Sequence, residues 1–337
     1  MGQYDIKYEE VKPLYVRLEK QIKATLLDLI VDKDISLFNV ESRVKGLESF
    51  NEKVKTGSYR DPFNQIEDIC GVRVICYYNS DMDFIQEVIE KEFDVHSGSD
   101  KQKEAEDNEF GYASRHFIVT LKKEWFTVPA FRGLDGLKVE IQLRTMLMHS
   151  WAAISHKLLY KKESDVPKKL KRSLNRLSAL IELADEQFES LKIQKEEYTT
   201  NMDVVINDNM GDAINNEPLN SDNIISLVNT FSPGRDYTFD EIPDFLEEVK
   251  EYNFTLADLK EIIISAKEYL NIQEEQVSKH YNDNLPIWSV TGYLRAALEL
   301  VSDEYFYNRW GSDGESDFDK TVTLMRLNRQ KFKMSTK

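Results

Sequence analysis

The run ICGVRVICYY at residues 69–78 limits the possible folds of this chain more than any other segment. It is rich in β-branched and aromatic residues, which is typical of a strand buried on both faces of a sheet. Two further segments, SRHFIVTL (114–121) and GLKVEIQL (136–143), alternate apolar and polar residues as strands do. Helical patterns lie between these strands, so the first half of the chain favours an α/β (α+β) domain in which helices flank a sheet.

Apolar residues at helical spacing predict helices around these strands, over residues 8–32, 45–55, 81–92 and 144–161. Residues 35–44 form only a short apolar segment, and the polar, glycine-containing residues 97–111 indicate a mobile loop. Farther along, apolar residues alternate spacings of four and three over three heptads, as in a coiled coil. This seam either packs on its own domain or joins copies of the chain, and it consists of Leu170, Leu174, Leu177, Ile181, Ala184, Phe188 and Leu191.

Residues 199–220 are rich in Asn, Asp and Gly and have little periodicity, so we interpret them as a linker. The linker divides a first domain, 1–198, from a second domain, 221–337. Capping-box spacings such as Thr255 with Asp258 precede apolar periodic runs in the second domain, which should therefore be helical. The last dozen residues are basic, and we expect them to fray.

Composition excludes several classes of protein. No apolar run approaches the ~18–20 residues that span a bilayer, and the charged N-terminal segment lacks the apolar core of a secretion signal. The only two cysteines, Cys70 and Cys76, lie within one apolar run, which argues against a disulfide framework. We therefore expect a soluble, cytoplasmic protein without a membrane partner. The net charge of −16 does not exclude phosphate or nucleic-acid binding, because local basic patches decide that.

Two carboxylates are candidates for a metal site. Asp68 stands just before the apolar strand, and Glu140 lies within the strand KVEIQL. Carboxylates on two strands can share one Mg²⁺, which usually takes one or two of them together with phosphate oxygens. Alternatively, both are solvated. Phosphate-binding glycine loops, nucleophile elbows and zinc-ligand spacings are absent from the sequence.

A second set of candidates is cationic or aromatic. Residues Arg43, Lys45 and Lys53 bracket Ser49. In contrast, Arg73 lies within the apolar strand and needs a partner, because an unpaired buried charge is very unfavourable. That partner is either an internal carboxylate or a planar base on which the guanidinium stacks. The segment GYASRH adds an aromatic and an imidazole, Tyr112 and His116, either as core or rim residues or as a platform for a second base.

These pieces, in this order, resemble one family. The segments RVKGLES (43–49), DICGVRV (68–74), GYASRH (111–116) and VEIQLRTMLMHSWAAISHKLLYK (139–161) are similar to the synthetase domain of the RelA/SpoT family, the bacterial alarmone synthetases. The resemblance covers residues 35–162 and extends to the helices up to about 195, but not to 221–337. It implies a nucleotidyltransferase-like fold with a mixed, mostly five-stranded sheet, and an enzyme that only synthesises, since no hydrolase half is visible.

The resemblance also implies a reaction and a role for each candidate residue. Such enzymes transfer pyrophosphate from ATP to the 3′-hydroxyl of GDP or GTP. By analogy, Arg43 and Arg73 sandwich the adenine, while Lys45, Ser49 and Lys53 hold the ATP phosphates. Both Asp68 and Glu140 would ligate Mg²⁺, and Glu140 would also help to activate the hydroxyl. The acceptor-side residues would be Tyr112, stacked on the base, with His116, Gln142 and Arg144 nearby.

The sequence departs from small synthetases on the acceptor side. Acids (DNEF, 107–110) stand where those enzymes usually carry a lysine, and His149 and Ser155 replace an aspartate and a glutamate. Two alternatives therefore stay open. One is a toxin-like relative that pyrophosphorylates the 3′ end of tRNA, which the cations between Lys157 and Arg176 would help to bind. The other is an inactive nucleotide-binding scaffold. Small synthetases are often tetramers, so we also expect a homo-oligomer.

Overall fold

A computed structural model describes residues 4–31, 35–100, 114–158, 167–207, 214, 217–238, 240–311 and 320–335. The chain divides into two compact units, residues 1–192 and 193–337. No helix in these described ranges has an apolar stretch long enough to cross a membrane.

The first unit is built on one five-stranded sheet. Its strands run in the order β1-β2-β5-β4-β3, and only the central β2–β5 pair is parallel. The mixed five-stranded sheet flanked by helices is therefore confirmed. The strands are β1 (Leu37–Val44), β2 (Cys70–Cys76), β3 (Phe93–Asp100), β4 (Arg115–Leu121) and β5 (Val139–Thr145).

Helices cover one face of this sheet. The long α1 buries one stripe of side chains against β1 and β2, and α4 packs on β2, β3 and β5. Alternate residues of β5 are buried against these helices, while the residues between them are half-exposed on the opposite face. That opposite face carries the polar candidates. The helices of this part of the chain are α1 (Asp5–Val31), α2 (Leu47–Thr56), α3 (Pro62–Gln65), α4 (Asn79–Glu92), α5 (Met146–Leu158) and α6 (Lys168–Asn207).

Two elements differ from the sequence-based expectations. Residues 37–44, for which the sequence indicated only a short apolar segment, form the edge strand β1, because they pair antiparallel with β2 apart from one register shift after Leu37. Residues 97–100 belong to strand β3 and not to a loop, because their backbone pairs with β4. The remainder of the predicted loop, 101–111, lies outside the described residues.

The second unit is helical, as the capping boxes predicted. Thr255 accepts a hydrogen bond from the backbone of Asp258, whose side chain accepts in return from Thr255, at the start of a 26-residue helix. Its apolar core contains buried side chains from all six helices of the unit. The last helix continues to Ser335 and buries Phe332, so the expectation of fraying was wrong for residues 326–335. These helices are α7 (Ser221–Phe231), α8 (Glu241–Lys250), α9 (Leu256–Tyr281), α10 (Val290–Val301), α11 (Asp303–Trp310) and α12 (Lys320–Ser335).

Helix α6 corrects the start of the predicted linker. It continues to Asn207, whereas the sequence placed the linker from residue 199. In the predicted seam Leu174 is buried, but Leu177, Phe188 and Leu191 are about half-exposed. The packed side of this part of α6 is instead partly polar, since the buried Asp185 accepts a hydrogen bond from Thr145 at 2.8 Å.

Candidate functional site

The uncovered face of the sheet carries two rows of candidate side chains. In one row, strand register aligns Arg43 with Gly71 and Glu140. In the next row, it aligns Glu41 with Arg73, Gln142 and His116. Directly paired residues point to the same side of a sheet, so these polar groups converge although they are distant in sequence.

Gly71 leaves a gap in the first row. A Cβ atom built on this residue would meet no other atom within 4 Å. The space lies between the exposed Arg43 on β1 and the half-buried Glu140 on β5. The centre of the polar face is therefore open to a ligand.

Asp68 lies just before β2 and is held by two lysines. Its Oδ2 atom is 3.1 Å from Lys45 Nζ and 2.8 Å from Lys53 Nζ. Burial by itself would raise the pKa of Asp68, but hydrogen bonds from Lys53 and Lys45 outweigh it, and the pKa lies below its ordinary value. Its other oxygen, Oδ1, is buried and has no hydrogen-bond partner. An ionised carboxylate with one unused buried oxygen can accept a cation or a donor from a ligand.

One of the two lysines lies in the turn that joins β1 to α2, and the other lies within α2. Lys45 follows the strand, and its carbonyl accepts a hydrogen bond from the buried hydroxyl of Tyr8 on α1. After it, Gly46 caps α2 without a side-chain hydrogen bond. The first turn of this helix includes the exposed Ser49, and Lys53 lies one turn later. Backbone N–H groups at a helix start, two ammonium groups and a hydroxyl together favour phosphate.

Glu140 is oriented by two neighbours. Its Oε1 atom lies 3.0 Å from Nδ1 of His116, and its Oε2 accepts a hydrogen bond from Gln142 Nε2 at 2.9 Å. Burial raises the pKa of Glu140, and so does the nearby charge of Asp68, but the interactions with His116 and Gln142 prevail and the pKa is lowered. The charge of Asp68 therefore acts on Glu140, although no hydrogen bond joins the two carboxylates.

His116 links Glu140 to a third polar side chain through its two ring nitrogens. Its Nε2 atom lies 2.5 Å from the hydroxyl of the buried Ser114, on the side opposite to Glu140. Both ring nitrogens are therefore engaged, which fixes the plane of the imidazole. Sequence reasoning missed Ser114, although its position two residues before His116 on the same face of the strand was a usable signal.

Arg73 has an internal carboxylate partner, which was one of the two alternatives that the sequence left open. Its Nη1 atom donates to Glu41 Oε2 at 2.8 Å, and its Nε donates to Gln142 Oε1 at 3.4 Å. Arg144 Nη2 donates to the same Gln142 oxygen at 3.1 Å. Sequence reasoning did not identify Glu41, because it gave the short apolar segment 35–44 no strand register.

His149 occupies one of the positions at which the sequence departs from small synthetases. Its Nε2 atom is 4.0 Å from Glu41 Oε1. Burial lowers the pKa of His149, and Glu41 only partly opposes this, so the imidazole is neutral at neutral pH. The imidazole ring of His149 therefore adds no positive charge beside Glu41 and Arg73.

The structure places the predicted site residues that it describes in two groups. On one side, Lys45, Ser49, Lys53 and Asp68 form the first group. The second group lies on the sheet and contains Arg43, Arg73, His116, Glu140, Gln142 and Arg144. Tyr112 lies outside the described residues. Among the described residues, no group of three or more His, Cys, Asp or Glu side chains could hold a metal by itself.

Comparison with known proteins gives one family. The model described as "Region found in RelA / SpoT proteins" matches residues 42–165. The chain is 32% identical over 161 residues to the GTP pyrophosphokinase YjbM of Bacillus subtilis (strain 168), a match covering 47% of this chain and 73% of that protein. It is 31% identical over 158 residues to the GTP pyrophosphokinase YwaC of the same organism, covering 46% and 73%.

Solved structures of similar proteins include the small alarmone synthetase 1 from Bacillus subtilis. The match has a TM-score of 0.49 and 28% identity, and it covers 57% of this chain and all of that one. The same synthetase bound to its product pppGpp matches with a TM-score of 0.48 and 27% identity, covering 56% and 98%.

Proposed function

Because the chain belongs to the RelA/SpoT family, we propose that it transfers pyrophosphate from ATP to the 3′-hydroxyl of GDP or GTP and so makes guanosine tetra- or pentaphosphate. The observation that carries the proposal is the Asp68 carboxylate, which is held by Lys45 and Lys53 and whose charge acts on the pKa of Glu140 on the neighbouring strand. The curated relatives are named GTP pyrophosphokinases, which supports the same reaction here. We assign this reaction to residues 1–198, the first predicted domain.

The binding site for the donor nucleotide, ATP, would be formed by the turn between β1 and α2, by α2 itself, and by Arg43 and Arg73. The phosphates of ATP would lie at the start of α2, against Lys45, Ser49 and Lys53, since these groups supply positive charge and hydrogen-bond donors. The adenine would lie between Arg43 and Arg73, whose planar guanidinium groups stack on aromatic rings. When the ATP phosphates bind the ammonium groups of Lys45 and Lys53, Asp68 would lose these two partners and become available to a metal.

The residues present fit a magnesium ion. Asp68 has a buried oxygen without a partner, and Glu140 is an ionised neighbour on the adjacent strand. Two carboxylates together with phosphate oxygens are a usual set of ligands for Mg²⁺. When bound, the ion would neutralise charge on the phosphates. We therefore propose that Asp68 and Glu140 hold Mg²⁺ together with the substrate.

In the reaction, the acceptor 3′-oxygen forms a bond to the β-phosphorus of ATP, and the bond to the α–β bridging oxygen breaks to release AMP. Glu140 would accept a hydrogen bond from the 3′-hydroxyl and then its proton. Its lowered pKa keeps the carboxylate ionised at neutral pH, so it can act in this way. Lys45 and Lys53 would hold the transferred group in line, since phosphoryl chemistry depends mainly on positioning and charge stabilisation.

The acceptor side comprises the predicted Tyr112, His116, Gln142 and Arg144. The arginine would meet the phosphates of GDP or GTP, and the tyrosine would stack on guanine. In the present structure both ends of the Gln142 amide are engaged by Glu140 and the arginines. We therefore propose that Gln142 serves the acceptor site mainly by orienting its neighbours.

The test is a transfer assay with the purified full chain, Mg²⁺ and γ-labelled ATP. GDP, GTP, AMP and deacylated tRNA are offered in separate reactions. We expect labelled guanosine tetra- or pentaphosphate with GDP or GTP. Labelled tRNA alone would replace this proposal by the toxin-like activity, and nucleotide binding without any transfer would replace it by the scaffold.

Two isosteric variants test the assignment of the carboxylates. Asp68→Asn and Glu140→Gln should each lower transfer by at least about 10²-fold, the usual loss when one group that stabilises a transition state is removed. The folded state should persist, as measured by circular dichroism. Near-normal transfer by either variant would show that the metal assignment is wrong.

We also propose a homo-oligomer in the cytoplasm. The exposed apolar residues of α6 support self-association, because an apolar stripe on a long helix is stabilised by a partner. The two buried free cysteines suit a reducing compartment.

A further inference from the structure

The guanidinium of Arg73 is held at two of its edges. Glu41 accepts from Nη1 at 2.8 Å, and Gln142 accepts from Nε at 3.4 Å. All N–H bonds of a guanidinium lie in its plane, so these contacts fix the orientation of that plane. They use the edges of the group and leave its two faces for stacking.

Glu41 reaches this place because of the strand register. It pairs directly with Arg73 across β1 and β2, so both side chains rise from the same face of the sheet. Arg43, two residues later on β1, shares that face. Glu41 therefore stands beside both arginines that we assign to the donor base.

This ion pair is not a structural pair of the core. The side chain of Glu41 is 41% exposed and that of Arg73 is 27% exposed. Ion pairs that are this accessible contribute little to the stability of a fold. An orienting effect on Arg73 is a better account of the contact, since a pre-ordered arginine loses less rotamer freedom when a ligand binds.

We infer that Glu41 is a positioning residue for the donor nucleotide: it holds the guanidinium plane of Arg73 in the orientation on which the purine of ATP stacks. This inference rests on the proposed function. Gln142 supports the opposite edge and joins the same guanidinium to Glu140 through its amide nitrogen. Glu41 acts through Arg73, and it neither holds the metal nor touches the reacting atoms.

The test measures donor binding separately from transfer. A fluorescent, non-hydrolysable ATP analogue is titrated with Mg²⁺ into the full chain without acceptor, and the kinetic constants for ATP and for the acceptor are then determined. Glu41→Ala should weaken analogue binding and raise the KM for ATP by about three- to tenfold, the usual effect when one rotamer-rich side chain must be ordered on binding. The kcat and the acceptor KM should stay within about twofold of the wild type.

Three further variants define the mechanism. Glu41→Gln should retain most of the binding, because an amide oxygen still accepts from Arg73 Nη1. The double variant Glu41→Ala with Arg73→Ala should bind no more weakly than Arg73→Ala alone, since Glu41 acts through that arginine. The matched control is Asp83→Asn, which removes a carboxylate 2.6 Å from Arg115 Nη1 elsewhere in the unit and should not change binding.

The inference is overturned if Glu41→Ala leaves analogue binding within about twofold, or if it weakens binding further when Arg73 is already alanine. A wild-type chain that makes labelled product while Glu41→Ala binds normally would refute the inference and leave the proposed function intact. A wild-type chain that transfers nothing, but whose analogue binding still depends on Glu41, would support the inference and refute the proposed function.

Discussion

Asp185 should make the first unit less stable as the pH rises through the acidic range. The residue lies on α6 and is 5% exposed. Its burial raises the pKa to about 6 from an ordinary 3.8, although a hydrogen bond from Thr145 partly opposes this. Between those values the folded chain binds more protons than the unfolded chain, so the free energy of unfolding falls as pH rises.

The size of the effect follows from the shift. A change from 3.8 to about 6 corresponds to about 3 kcal/mol above pH 6 and to roughly half of that at pH 5. Asp185→Asn removes this penalty and keeps an oxygen for the Thr145 hydroxyl, which also accepts a hydrogen bond from the backbone of Met148 at the start of α5. The variant should therefore be more stable than the wild type, with an advantage that grows from pH 5 to pH 8.

Hydrogen exchange read by mass spectrometry is the suitable assay, because peptides from β5 and α5 report on the first unit alone. The exposed Glu186, the next residue on the same helix, provides the control Glu186→Gln, which should leave the pH profile unchanged. An advantage of Asp185→Asn that is the same at pH 5 and pH 8, or a loss of stability at pH 8, would refute the reasoning.

Three other perturbations have defined outcomes. Lys53→Met should raise the KM for ATP about tenfold or more, in a steady-state transfer assay, because it removes a charged phosphate contact; an unchanged KM would exclude Lys53 from the donor site. Glu274→Ala should lower the free energy of unfolding of the second unit by about 3–5 kcal/mol, since Arg235, its bidentate partner at 2.7 and 2.6 Å, would be left buried and unpaired. Replacing both Glu274 and Arg235 by methionine should lower the free energy of unfolding less than Glu274→Ala does, with both variants measured by denaturant titration. An equal loss would contradict this account. If α6 joins copies of the chain as proposed, Phe188→Glu with Leu191→Glu should lower the mass measured by light scattering to that of a monomer, and an unchanged mass would exclude α6 as the interface.

The sheet was predictable where its strands are apolar. β2 and β5 were evident from β-branched runs and from alternation. β1 was not, because Asn39, Glu41 and Arg43 place polar side chains at every second position of an edge strand. Those polar residues face the candidate site, so the chemistry of the site obscured the signal of the strand.

The types of residue in the site were predictable from the sequence, but most of their pairings were not. The sequence required a partner for Arg73 without identifying it, since cross-strand register depends on how the whole sheet assembles. In the same way, the contact of Lys45 and Lys53 with Asp68 joins a turn and a helix to the start of another strand. The roles in binding and catalysis stay predictions until the variants are measured.

Gly71 offers a way to separate folding from turnover. Nothing in the described neighbourhood would collide with a methyl group there, and the backbone does not adopt the left-handed conformation that favours glycine. Gly71→Ala should thus leave the fold unchanged, while its added methyl group narrows the gap in the open face of the sheet. Any fall in turnover of such a protein would measure how closely the reactants approach the sheet.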